Sequence, residues 1–217
     1  MTDAFLDKLA GDLKPVKPMH LAPLWGMAGA GLVLAAVFVV LAYGPRPEMV
    51  MLSHGLWSGP FAVVAKPGLF LVIGLSALWS LGGLIRPEGR LRPLTLAPVV
   101  ALAALVVILS GVQMMTQTPA QIASSLGGGN MLCFGTILGG GAIGLALLWG
   151  VWLRRAATPA PVALGALSGL AAASLAAAAY AIHCNMDAPL YLLLVYGGAV
   201  GLLTVIAALA GSRLFRW

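Results

Sequence analysis

The sequence predicts an all-α membrane protein, a polytopic bundle of six transmembrane helices with both termini in the cytoplasm. Three observations lead there. Of 217 residues, 61% are hydrophobic and 8% charged, whereas a soluble domain carries charge on about a quarter of its residues. The apolar residues fall into six runs, each near the roughly 20 residues that cross a bilayer as a helix. Ten of the 12 Lys and Arg lie on alternate connections, the pattern left by cytoplasmic retention of basic residues. The net charge of +6 therefore reads as topology, and no direct nucleic-acid partner is expected.

Each element follows from the charges and prolines that interrupt the runs. The spans are expected at Pro23–Tyr43, Pro67–Ile85, Leu96–Met115, Asn130–Leu153, Val162–His183 and Pro189–Gly211. This divides the chain into a cytoplasmic tail (1–22), a six-helix domain (23–211) and a short basic cytoplasmic end (212–217). The inner side carries Lys8, Lys14 and Lys17, then Arg86, Arg90 and Arg92, then Arg154 and Arg155, and finally Arg213 and Arg216, against only Arg46 and Lys66 outside. The first apolar run is too long for a cleaved leader. The expected location is a bacterial inner membrane, N-in and C-in.

The span composition narrows the function. No Asp, Glu, Lys or Arg is expected near the midplane, where pumps, ion-coupled carriers and voltage sensors keep ionisable groups despite their cost. Gln113 and a few Ser and Thr supply the polar content. A small carrier or channel for apolar or uncharged solutes is the competing class. An enzyme is not expected: Ser53-His54 and His183-Cys184 are the available dyads, and adjacent residues diverge on a helix. The glycine pairs Gly135/Gly139, Gly140/Gly144, Gly165/Gly169 and Gly197/Gly201, each four apart, read as helix-packing faces.

Unusual residue types gather in two places. In the tail, Phe5, Leu6, Leu9 and Leu13 form one stripe at helical spacing, Asp7 and Asp12 lie mostly elsewhere, and Pro15 and Pro18 end the helix. So short a helix is marginal alone. Its stripe either rests in lipid headgroups or docks on a protein. The second place is the cysteine pair. Cys133 lies 21 residues before Arg154 and Cys184 lies 23 after Pro161, which puts them about 31 and 34 Å along their helices, at nearly one height on the outer face. They read as a disulfide, as two unpaired core residues, or as a redox or metal sensor. With His183, and more weakly His54, they offer donors for a soft or borderline heavy-metal ion. No other cofactor is indicated.

The tail Asp7-Lys8-Leu9-Ala10-Gly11-Asp12-Leu13-Lys14-Pro15-Val16, Cys133 opening a span, Tyr180-Ala181-Ile182-His183-Cys184 and the end Arg213-Leu214-Phe215-Arg216-Trp217 resemble the NrsF family of membrane-bound anti-sigma factors. The resemblance covers essentially the whole chain, with Val195-Tyr196 departing where an aromatic pair is expected. It implies an extracytoplasmic-function (ECF) sigma factor as partner, held through Phe5, Leu6, Asp7, Leu9, Asp12, Leu13, Pro15 and Val16. It also implies release on heavy-metal or oxidative stress, sensed at Cys133 and Cys184.

Overall fold

In a computed structural model the described residues are 11, 20–54, 62–85, 88–127 and 129–215. They form helices α1 (Ala22–Tyr43), α2 (Pro47–Ser53), α3 (Ala62–Leu84), α4 (Pro93–Thr116), α5 (Pro119–Leu126), α6 (Asn130–Val151), α7 (Pro161–Tyr180) and α8 (Pro189–Leu214). Among the described residues there is no strand. Six helices, α1, α3, α4, α6, α7 and α8, are long and apolar enough to cross a membrane. The six-span expectation therefore holds.

The boundaries moved for local reasons. Proline commonly opens a helix, so Pro67 marked the second start, yet α3 begins five residues earlier and keeps Pro67 inside. That shift carries Lys66 into the helix. The fifth span stops at Tyr180 rather than His183, because Ile182 N and His183 N turn back to Ala179 O and Tyr180 O in three-residue turns. The sixth runs on to Leu214. Two connections contain short helices: α2, and α5, which opens on a capping box between Thr118 and Gln121.

Helix α7 is the hub, packed against α8, α3, α6 and α1. Its most apolar window is 67% buried, against 11% for α1 and α4. The reason is its small side chains. A Cβ on Gly165 would meet Ala207 O, one on Gly169 would meet Leu203 O at 2.8 Å, and one on Gly211 would meet Pro161 O at 2.9 Å. Backbones of α7 and α8 thus touch directly, as small residues allow between membrane helices. The other glycine pairs do less. Gly140 and Gly144 face Ala176 and Ala172 at ordinary contact distance, and Gly135, Gly139 and Gly201 meet nothing within 4 Å.

Within α8, Leu192–Gly197 winds as a π-helix. Tyr191 and Tyr196 stand five apart, which on a 3.6-residue turn would separate them by about 140°. Bonding from i to i+5 makes five residues nearly one turn. Both tyrosines therefore face inward, fully buried, with ring centroids 6.2 Å apart.

Candidate functional site

One end of the bundle gathers the C-terminus of α1, the first turns of α3, α6 and α8, and the segment after α7. Here Cys133, in the first turn of α6, and Cys184, just past α7, turn their thiols toward each other. The expectation of equal height holds, and the two residues are free and buried. Tyr180 donates its hydroxyl to Cys133 Sγ at 3.3 Å. Among the described residues the hydroxyls of Tyr191 and Tyr196 find no hydrogen-bond partner of regular geometry, and the groups they neighbour are the two sulfurs. Phe70 stacks on Tyr196 at 5.1 Å, while Tyr43 packs edge-on to Tyr180 at 5.9 Å. The sulfurs thus sit in an aromatic pocket that contains hydroxyls but little water-facing surface.

Above them, two cations hold the segment Cys184–Asp187. Lys66 Nζ donates to Cys184 O at 3.0 Å and Met186 O at 2.8 Å, and lies 3.5 Å from Asp187 Oδ1. It also stands 4.5 Å over the Tyr196 ring, a cation–π geometry. Arg46 grips Asp187 with both terminal nitrogens, at 3.1 and 2.8 Å, and donates to Cys184 O at 3.2 Å and Glu48 at 3.3 Å. The side chains of Arg46 and Lys66 are 2% and 1% exposed, so each charge needs these partners to offset its desolvation. Asp187 raises the Arg46 pKa further above its ordinary value. The Cys184 thiol is pushed down, first by hydrogen bonding with Cys133 and then by the positive charge of Lys66.

The sequence-predicted residues divide accordingly. Cys133, Cys184 and His183 share this end, but His183 places Nδ1 2.9 Å from Gly44 O and its ring against Tyr43. It ties α7 to α1 and is not turned to the sulfurs. His54 is exposed at the end of α2. Among the described residues no three His, Cys, Asp or Glu side chains converge as a metal site. Two facing sulfurs suit a soft two-coordinate ion, whereas a tetrahedral zinc set is not assembled. The tail residues Phe5, Leu6, Asp7, Leu9, Asp12, Leu13, Pro15 and Val16 lie outside the described residues.

Sequence reasoning missed Arg46, Lys66, Tyr191 and Tyr196. The two cations were counted only as outer-side charge. Their signal was that, with Asp187, they stand at the ends of runs that a bundle brings together. The tyrosines gave no signal, since their shared face depends on the π turn. Gln113, noted as a polar span residue, is buried near the same end and accepts from Leu190 N at 2.9 Å, holding the start of α8 against α4.

No curated protein and no solved structure matches the chain. The family model described as NrsF, negative regulator of sigma F, matches residues 9–217, from within the tail through all six membrane-length helices. The chain belongs to this family of sigma-factor regulators.

Proposed function

We propose that the protein is an integral inner-membrane anti-sigma factor that holds an ECF sigma factor through its N-terminal tail. It releases that partner on heavy-metal or oxidative stress, when the bonding state of Cys133 and Cys184 changes. Family membership supports negative regulation of a sigma factor. The observation that carries the sensing role is the pair of free thiols facing each other beneath a segment latched by Lys66 and Arg46. The backbone of Cys184 is the common acceptor of both cations, so a new bond at its sulfur pulls on the latch directly.

Magnitudes are consistent with a switch. Moving a two-state equilibrium from mostly bound to mostly free takes about 5.5 kcal/mol of differential stability. A disulfide contributes roughly 2–4 kcal/mol, and loss of buried charge contacts adds to it. In the tail, Phe5, Leu6, Leu9 and Leu13 provide the apolar contact, Asp7 and Asp12 address basic groups on the partner, and Pro15 and Val16 complete the binding segment.

The test uses the full-length protein. The wild type should co-purify with its sigma factor, and Leu9→Asp with Leu13→Asp should abolish that without changing membrane insertion. Cys133→Ser with Cys184→Ser should flatten the dose response of target genes to cadmium or oxidant. Retention unaffected by the first pair removes the tail from the interface, and a wild-type dose response in the second removes the sensor.

A further inference from the structure

At the end of the bundle opposite the thiols, the start of α1, the last turns of α3 and the connection into α4 enclose a cleft of about 650 Å³. Its floor is apolar: Leu21, Trp25, Leu78 and Trp79 line it, with the two indoles 6.1 Å apart. Its rim carries both signs of charge, Arg90 and Arg92 against Glu88, all exposed. Thr95 Oγ1 lies 2.6 Å from Ser80 Oγ and 2.7 Å from Arg92 O, which pins this rim to α3. Neither arginine has an ion pair among the described residues. The chain holds six acidic residues. Glu48 and Asp187 neutralise Arg46 and Lys66 at the far end, and Glu88 is on the rim itself. The other three, Asp3, Asp7 and Asp12, all fall in segment 1–19. That segment, of which Gly11 alone is described, enters the bundle at the cleft, since Leu21 is part of the floor.

We propose that the tail docks in this cleft through the same face that holds the sigma factor, so that cleft and partner compete for it. The inference rests on the tail reading and deepens it, by giving the released tail a place to go. The apolar stripe Phe5, Leu6, Leu9 and Leu13 matches the indole-lined floor. Asp7-Lys8 and Asp12-Leu13-Lys14 carry both signs at close spacing, as the rim does. An anionic lipid headgroup would satisfy the arginines but be repelled by Glu88. The nine residues from Asp12 to Leu21 reach about 30 Å at full extension, so docking is intramolecular. Its effective concentration is then about millimolar, and even a weak contact is populated. The walls of the cleft are also the two helices tied to the thiol end: α1 ends beside Gly44, whose carbonyl meets His183, and α3 carries Lys66, which donates to Cys184 O. A change of bonding at the sulfurs that shifts α1 against α3 alters the cleft, and with it the share of tail left for the sigma factor.

The experiment uses the full-length protein with Cys133→Ser and Cys184→Ser, in phosphatidylcholine nanodiscs. Ala10→Cys is paired with Leu91→Cys beside the cleft or, for comparison, with Leu214→Cys at the same end of the bundle, and each pair is joined with a short bismaleimide. The pair at the cleft should cross-link about tenfold faster. Arg90→Gln with Arg92→Gln should slow it about fivefold, the effect of losing two exposed ion pairs, and saturating sigma factor should suppress it. With the native cysteines restored, the same two arginine substitutions should tighten sigma-factor binding about fivefold, whereas mere damage to the fold would weaken it. Equal rates for the two cysteine pairs, rates unmoved by the arginine substitutions, or selectivity lost when phosphatidylglycerol replaces half of the lipid would each overturn the proposal, the last by making the cleft a headgroup site. If the sigma factor binds without suppressing a selective cross-link, the tail reading fails and the docking stands. If Leu9→Asp with Leu13→Asp abolishes sigma-factor binding while cross-linking is unselective, the docking fails and the tail reading stands.

Discussion

Lys66 illustrates how one side chain can join charge, packing and reactivity. Its ammonium serves two carbonyls, a carboxylate and an aromatic face, so Lys66→Met leaves Met186 O without its donor and Asp187 with Arg46 alone. The expected cost is about 1–3 kcal/mol, measurable by denaturation in detergent. The same substitution should move the thiolate absorbance of Cys184 to higher pH, because a cation that favours its ionised form is gone. The sign for stability follows. A thiol held below its ordinary pKa stabilises the fold fully above the unfolded value and loses that contribution as pH falls through the folded one. The difference between wild type and Lys66→Met from this source should therefore shrink on acidification. Thiolate titrations that coincide for the two proteins would disprove the coupling. At this scale the cysteines were legible in the sequence, since helix rise alone brings them level. The partners of Cys184 were not, because they come from residues 118 and 138 positions away in the chain.

At the level of helices, the contact between α7 and α8 sets the tolerance of the bundle. Gly165, Gly169 and Gly211 stand where backbone meets backbone, so Gly165→Val has no flexible neighbour to push aside. It should destabilise by about 1–3 kcal/mol or more in a detergent-unfolding assay, whereas Gly150→Ala, with nothing within 4 Å, should stay within about 0.5 kcal/mol. Similar losses in both would mean that the two helices do not meet through Gly165. Spacing by four identified Gly165/Gly169 as a packing face, but it could not separate that pair from Gly135/Gly139, which line an open groove. The period of a helix reports which residues share a face and is silent on what faces them. Proline likewise indicated a helix start correctly at Pro189 and misled at Pro67, where a proline lies within the helix, while the helices expected from Leu96 and Val162 in fact open on Pro93 and Pro161.

For the molecule as a whole, the two ends are chemically unlike. The end with the thiols holds Arg46 and Lys66 neutralised by Asp187 and Glu48, while the opposite end presents Arg90, Arg92 and Arg213 with no ion pair among the described residues. From the bias of basic residues toward the cytoplasm, the N-terminus is expected inside. A reporter active only in the cytosol should work ahead of Met1, and one active only outside should work after His54. The opposite pair of results would put the tail beyond reach of any sigma factor. Span number was legible because hydropathy and length constrain a membrane helix so tightly. The mutual phasing of the spans was not, as α8 shows. Tyr196, Leu203, Ala207 and Gly211 make one buried stripe on this helix, and on regular winding Tyr191 would point about 140° away from it. The π turn inserts the missing angular offset, so that the top of the helix can serve the sulfurs while its lower part stays keyed to Gly165 and Gly169. Removing a single residue between Tyr191 and Tyr196 would set the two tyrosines four apart, within about 40° of each other on an unbroken α-helical screw, so a chain one residue shorter here should keep both allegiances without the wide turn.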